Sequence, residues 1–192
     1  MSQIGGGVLG TMDGHTEQTE DVPLCLNPDN IFSERESHEF PLPRTETAFL
    51  ARISFIFDTS VVGRTNELFA RLMMGEQNIC EPPKAETWLT MRKLAKRKSV
   101  HSVYEALGNQ DACVSLTELH QLLKQQQCGR LGLLPIDGRK TICFVPIGEQ
   151  AYVVECYRLA GFGWCVDAYN IDNSRLSSAD TMVLFRGVEP IA

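Results

Sequence analysis

The sequence predicts an α+β fold: three or four helices packed on a carboxy-terminal antiparallel β-sheet, behind a flexible acidic amino-terminal arm. Three observations predict it. In residues 141–187, the runs Tyr152–Tyr157 and Trp164–Ile171 flank the glycine-bearing connection Leu159–Gly163, the pattern of a β-hairpin. Between residues 59 and 127, apolar side chains recur at helical spacing after capping residues. Residues 1–47 are rich in glycine, proline, threonine and acids and show little periodicity, so they bury too little apolar surface to offset the entropy of ordering.

Within the arm, Val22–Leu26 and Ile31–Phe32 are short apolar islands suited to docking on the domain or on a partner. Residues 48–192 are read as a single domain. Ala48–Phe57 is dense in aromatic and β-branched residues and predicts a strand. Asp58, Thr59 and Ser60 offer N-cap chemistry for a helix with the stripe Leu68, Phe69, Leu72 and Met73, ended by Gly75. Cys80–Pro83 is a break. A second helix is expected from Lys84 to Lys98, with Trp88, Met91 and Ala95 inward. A third starts near Ser99 and runs through Val100, Val103, Tyr104 and Leu107 to Gly108. Ser115 and Glu118 have capping-box spacing and open a fourth helix carrying Leu116, Leu119, Leu122 and Leu123. Asp137-Gly138 is a turn signal. Strands follow at Thr141–Ile147, in the hairpin, and at Thr181–Phe185. Pro146 lacks an amide hydrogen and is expected at an edge or a strand end.

The chain has 192 residues, 43% hydrophobic and 22% charged, enough for a core of ordinary composition. Its net charge of −6 is uneven. Residues 1–58 hold ten acids against three bases, and residues 59–192 hold fourteen against fifteen. That balance argues against wholesale coating of nucleic acid. The seven cysteines have no tight repeat spacing, and Met1–Gly7 has no basic and apolar leader pattern. Reduced thiols and a cytoplasmic location are therefore expected. No apolar run is long enough to predict a membrane span.

Arg92, Lys93, Lys96, Arg97 and Lys98 place five cations in seven residues. Three short helices followed by a hairpin is also the order of a winged helix. In that reading Gln121, Lys124, Gln125 and Gln126 of the last helix would face the major groove. Against it, cations at a helix end are favoured by the helix dipole, and Lys124 is the one cation of the supposed recognition helix.

Metal and catalytic signatures are weak. Cys113 and His120 are separated by six residues with no second ligand pair beside them. A cysteine nucleophile would draw on Cys113 or Cys80, His101 or His120, and Asp111 or Glu118, but no nucleophile-elbow pattern accompanies them. Gly5–Gly10 lacks the preceding strand of a phosphate loop. Glu155 and Asp167 fall opposite each other if the hairpin is symmetric about Gly161. Such a pair repels unless a cation sits beside it. The same register sets Tyr157 opposite Cys165 and Val153 opposite Tyr169.

The leading expectation is a non-enzymatic protein-interaction or regulatory module. Its anchors would be Phe162 and Trp164 on the hairpin and Leu24, Leu26 and Phe32 in the arm. The alternative is a winged-helix-like nucleic-acid-binding regulator using Arg92, Lys93, Lys96, Arg97 and Lys98. An uncharacterised hydrolase or transferase is third. No metal or cofactor is expected. The expected partner is another protein, or nucleic acid under the alternative, and not a membrane.

Overall fold

The computed structural model describes residues 31–75, 78–172 and 176–187. In chain order its elements begin with β1 (Phe32–Leu42), β2 (Phe49–Leu50), a π-helical turn (Ile53–Phe57), β3 (Val62–Thr65) and α1 (Glu67–Met74). They continue with β4 (Cys80–Glu81), β5 (Thr87–Leu94), β6 (Lys98–Ser99), α2 (Val100–Ala106) and α3 (Leu116–Gln125). The last are β7 (Thr141–Ile147), β8 (Gln150–Leu159), β9 (Gly163–Asn170), β10 (Leu176–Ser177) and β11 (Met182–Arg186). Seven of the strands form one mixed sheet in the order β1-β5-β11-β7-β8-β9-β3. The pairs β11–β7 and β3–β9 are parallel, and the others are antiparallel.

This corrects the expected fold. The sheet is not a carboxy-terminal unit on which helices pack: three of its seven strands come from the first half of the chain. β1, assigned to the arm by composition, is an edge strand paired with β5, with Phe40 opposite Leu89. Residues 1–30 lie outside the described residues.

β7 explains the layering. Ile142 and Phe144 pack in one core with Val100 and Val103 of α2, Val153 and Val183. Cys143 and Val145 point the other way, into a core with Phe69 and Met73 of α1 and Leu116, Leu119, Leu122 and Leu123 of α3. The central strand is therefore buried on both faces and reads as a continuous apolar run. Pro146 sits where β7 has passed its pairing with β11, so its missing amide hydrogen breaks no ladder bond there.

Two misread elements have a common physical cause. The segment 84–98 contains helix-forming Lys, Leu, Ala and Arg, yet residues 87–94 form a strand between β1 and β11. Leu89 and Met91 feed one core and Leu94 the other, so burial on both faces overrides local propensity. Ala48–Phe57 is a strand only at Phe49–Leu50 and then coils. Phe55 turns inward while Ile53 and Phe57 stay exposed. The N-cap of α1 is Asn66, not the 58–60 cluster. By contrast, α2 starts at Ser99 as expected, and Ser115 and Glu118 form the capping box of α3.

Candidate functional site

The hairpin register falls where symmetry about Gly161 places it. Glu155 faces Asp167, Tyr157 faces Cys165, and Val153 faces Tyr169. The two acids are nearly buried. Each has a side-chain partner: Lys140 Nζ donates to Glu155 at 2.7 Å, and the Tyr157 hydroxyl donates to Asp167 at 3.0 Å. Lys140 also lies 5.4 Å from the centre of the Tyr157 ring. Burial first, and the bond to Asp167 second, push the Tyr157 hydroxyl up to about 12. The row is thus a closed charge cluster. The cavity bordering Glu155 has a volume of about 10 Å³, too small for a substrate. Lys140, which the sequence did not single out, is the cation that makes the paired acids tolerable.

A concavity of about 730 Å³ lies between α2 and the ends of β8 and β9. His101, Tyr104, Gln110, Glu149, Asn170 and Asp172 are among its lining residues. His101 Nε2 is 3.3 Å from Glu105, an exposed imidazole–carboxylate pair. Among the described residues, the lining contains no cysteine, serine, lysine or arginine. Tyr104 is hydrogen-bonded to Cys113, and burial pushes both groups up, so the thiol is held in its neutral form.

Among the described residues, the other cysteines and histidines do not assemble a site. His120 is in the opposite core, against Phe49 and Phe55. Cys156 faces the α3 side of the sheet, whereas Cys165 lies opposite Tyr157 on the other side, so the two thiols point apart. Burial raises the thiols of Cys143, Cys156 and Cys165. Among the described residues, no three His, Cys, Asp or Glu side chains converge as metal ligands.

The basic run is divided. Arg92 and Lys93 lie on β5, where Arg92 stacks over Phe32 and Lys93 is 3.5 Å from Asp180. Lys96 and Arg97 are exposed at the β5–β6 turn, and Lys98 is half-buried in β6. The first of the three helices in the winged-helix reading, expected over 84–98, is replaced by the strand Thr87–Leu94. The supposed recognition helix, α3, is buried from Leu116 to His120, and Gln126 just beyond it is bonded to Leu134.

Of the anchors read from the sequence, Phe162 is 60% exposed at the β8–β9 turn. Trp164 is 1% exposed and donates to the Gln126 carbonyl, and Phe32 is buried against Phe185. Leu24 and Leu26 lie outside the described residues. The structure adds an apolar ridge that the sequence did not reveal. Leu50, Ile53 and Phe57 are 43%, 52% and 59% exposed, and the Arg52 guanidinium lies 5.3 Å from the Phe57 ring centre. A signal was present: Ala51 and Phe55 are spaced four apart, as are Ile53 and Phe57, and a strand cannot separate those pairs onto two faces.

No family model, curated protein or solved structure matches the chain. No helix among the described residues is long and apolar enough to cross a membrane.

Proposed function

We propose that the chain is a non-enzymatic protein-interaction module that uses the Leu50–Phe57 ridge. The carrying observation is the exposure of three large apolar side chains within eight residues, beside an arginine stacked on a phenylalanine. Isolated apolar residues on a surface are ordinary, but a clustered set with Phe and Arg has the composition of an interface centre. Phe162, on the β8–β9 turn, supplies a further exposed aromatic.

The test is affinity purification from the native host with the full chain and an Ile53→Asp/Phe57→Asp variant. Both positions are exposed, so the stability change should remain within about 0.5 kcal/mol. A stoichiometric protein held by the parent and lost from the variant supports the reading. Equal capture by both forms overturns the ridge assignment. Removal of residues 1–30 tests Leu24 and Leu26 separately, because deletion through residue 47 would also remove β1 from the sheet.

A second reading has one favourable observation. Lys96 and Arg97 are exposed on one turn beside Lys98, a local cationic patch suited to phosphate contacts. Nucleic-acid binding there predicts salt-sensitive retention that reversal of Lys96, Arg97 and Lys98 abolishes. Retention unchanged by that reversal removes it.

A further inference from the structure

The segment that carries the ridge is held by an aromatic clasp around one histidine. Phe49 and Phe55 approach the His120 ring at centroid distances of 5.2 Å and 5.4 Å. Phe55 also meets Phe69 of α1 edge-on at 5.2 Å. Phe55 sits within the five-residue π-helix Ile53–Phe57, closed by the Asp58 amide on the Ile53 carbonyl at 2.9 Å. Such turns are rare and frequently mark functional places. The start is tied by the β2–β4 pairing, Phe49 opposite Glu81 and Leu50 opposite Cys80, and by the Ala51 amide on the Ile79 carbonyl. Just past the other end, Gln127 donates to the Ser60 carbonyl.

His120 is 8% exposed, and its Nε2 is buried without a hydrogen-bond partner. The ring's hydrogen bond goes to the backbone of Ser54, inside the same segment. A neutral imidazole needs one donor satisfied, whereas the imidazolium carries two N–H groups. In the closed clasp the second would lie among rings and leave a buried charged donor unmet. Asp58, at the end of the segment, favours the cation, and Lys124, one turn along α3, opposes it. Glu67 and Arg71 on α1 face solvent. Glu81 of β4 is committed to the Leu116 and Thr117 amides of α3, and Arg52 lies over Phe57. Burial is the largest influence and holds the ring below its ordinary 6.5.

We infer that Phe49–Asp58 is an acid-released strap, kept closed by the neutral form of His120. Protonation requires water at Nε2, and water reaches it when Phe49 and Phe55 swing away. The sign follows from the direction in which burial moves the ring. Closure favours the neutral ring, so its contribution is complete above 6.5 and is lost as pH falls through 6.5 and below. Opening takes Ala51 and Phe55 out of the core shared with α1 and α3, but it breaks no pairing of the seven-stranded sheet, which the segment does not join. The inference rests on the segment's own packing and needs no partner at the ridge.

The test is amide hydrogen exchange on the full chain at about pH 7.5 and about pH 5, with rates corrected for intrinsic exchange. Protection of the Asp58 amide should fall about tenfold on acidification while β7 and β8 keep theirs. His120→Leu fills the clasp without a titrating group and should remove the difference. A second measurement needs no variant: proton NMR of the parent should give a His120 midpoint below 6.5. Equal protection at both pH values, a midpoint at or above 6.5, or the same acid loss in His120→Leu each overturns the strap.

Discussion

Asn66 grips both backbone groups of Ala168. Its Nδ2 donates to the Ala168 carbonyl at 2.8 Å, and its Oδ1 accepts from the Ala168 amide at 3.0 Å. The same Oδ1 accepts from the Phe69 amide at 2.9 Å and caps α1. One side chain therefore ends the pairing of β3 with β9 and starts the helix that covers it.

Replacing Asn66 by Ala removes a cap and leaves strand groups unmet. Loss of about 2–4 kcal/mol is expected in urea unfolding. Asn66→Asp keeps an acceptor for Phe69 but loses the donor, and should lose less, about 1–2 kcal/mol. An Asn66→Ala variant within about 0.5 kcal/mol of the parent would refute the double role.

Gly63 lies where β3 passes the β8–β9 turn. A Cβ there would sit 1.7 Å from the Phe162 carbonyl oxygen, a backbone atom that cannot rotate away. Gly63→Ala should displace β3 and lower stability by about 1–3 kcal/mol, as overpacking does. Thermal melting measures it, and an unchanged Tm would show that the turn yields freely.

Tyr157 predicts an alkaline transition. Its neutral hydroxyl is favoured in the folded state by burial and by the bond to Asp167, so its value is raised from 10.0 to about 12. The stabilising contribution is complete below 10 and disappears as pH rises towards 12. Phenolate absorbance should still be rising in that interval in the parent. Tyr157→Phe should lack this late step, and an identical titration curve in that variant would exclude it.

Thiol accessibility should divide the cysteines. None of the six described cysteines is in a disulfide. Cys80 and Cys128 are exposed, whereas Cys113, Cys143, Cys156 and Cys165 are buried. Alkylation of the native protein, mapped by mass spectrometry, should modify the first pair and spare the other four until denaturant is added. Modification of Cys143 as fast as Cys80 would contradict the double-sided burial of β7.

The sequence by itself determined what is local. The Ser115–Glu118 box, the start of α2 at Ser99 and the symmetric β8–β9 hairpin each depend on neighbours within a few residues, and Gly161 and Gly163 adopt the positive φ the turn requires. Symmetry about Gly161 is enough to place Glu155 opposite Asp167. Tertiary structure decided which strands share the sheet. β5 contains helix-forming residues, and β1 has the composition of an arm, yet each is fixed by partners far along the chain: Leu184 opposite Met91, and Phe40 opposite Leu89. It also decided the candidate sites. His120 inside the Phe49–Phe55 clasp and the outward ridge of Ile53 and Phe57 arise from packing between elements distant in sequence, and Lys140 meets Glu155 through the β7–β8 register. Periodicity in one segment carries no information about the surface that another segment will bury.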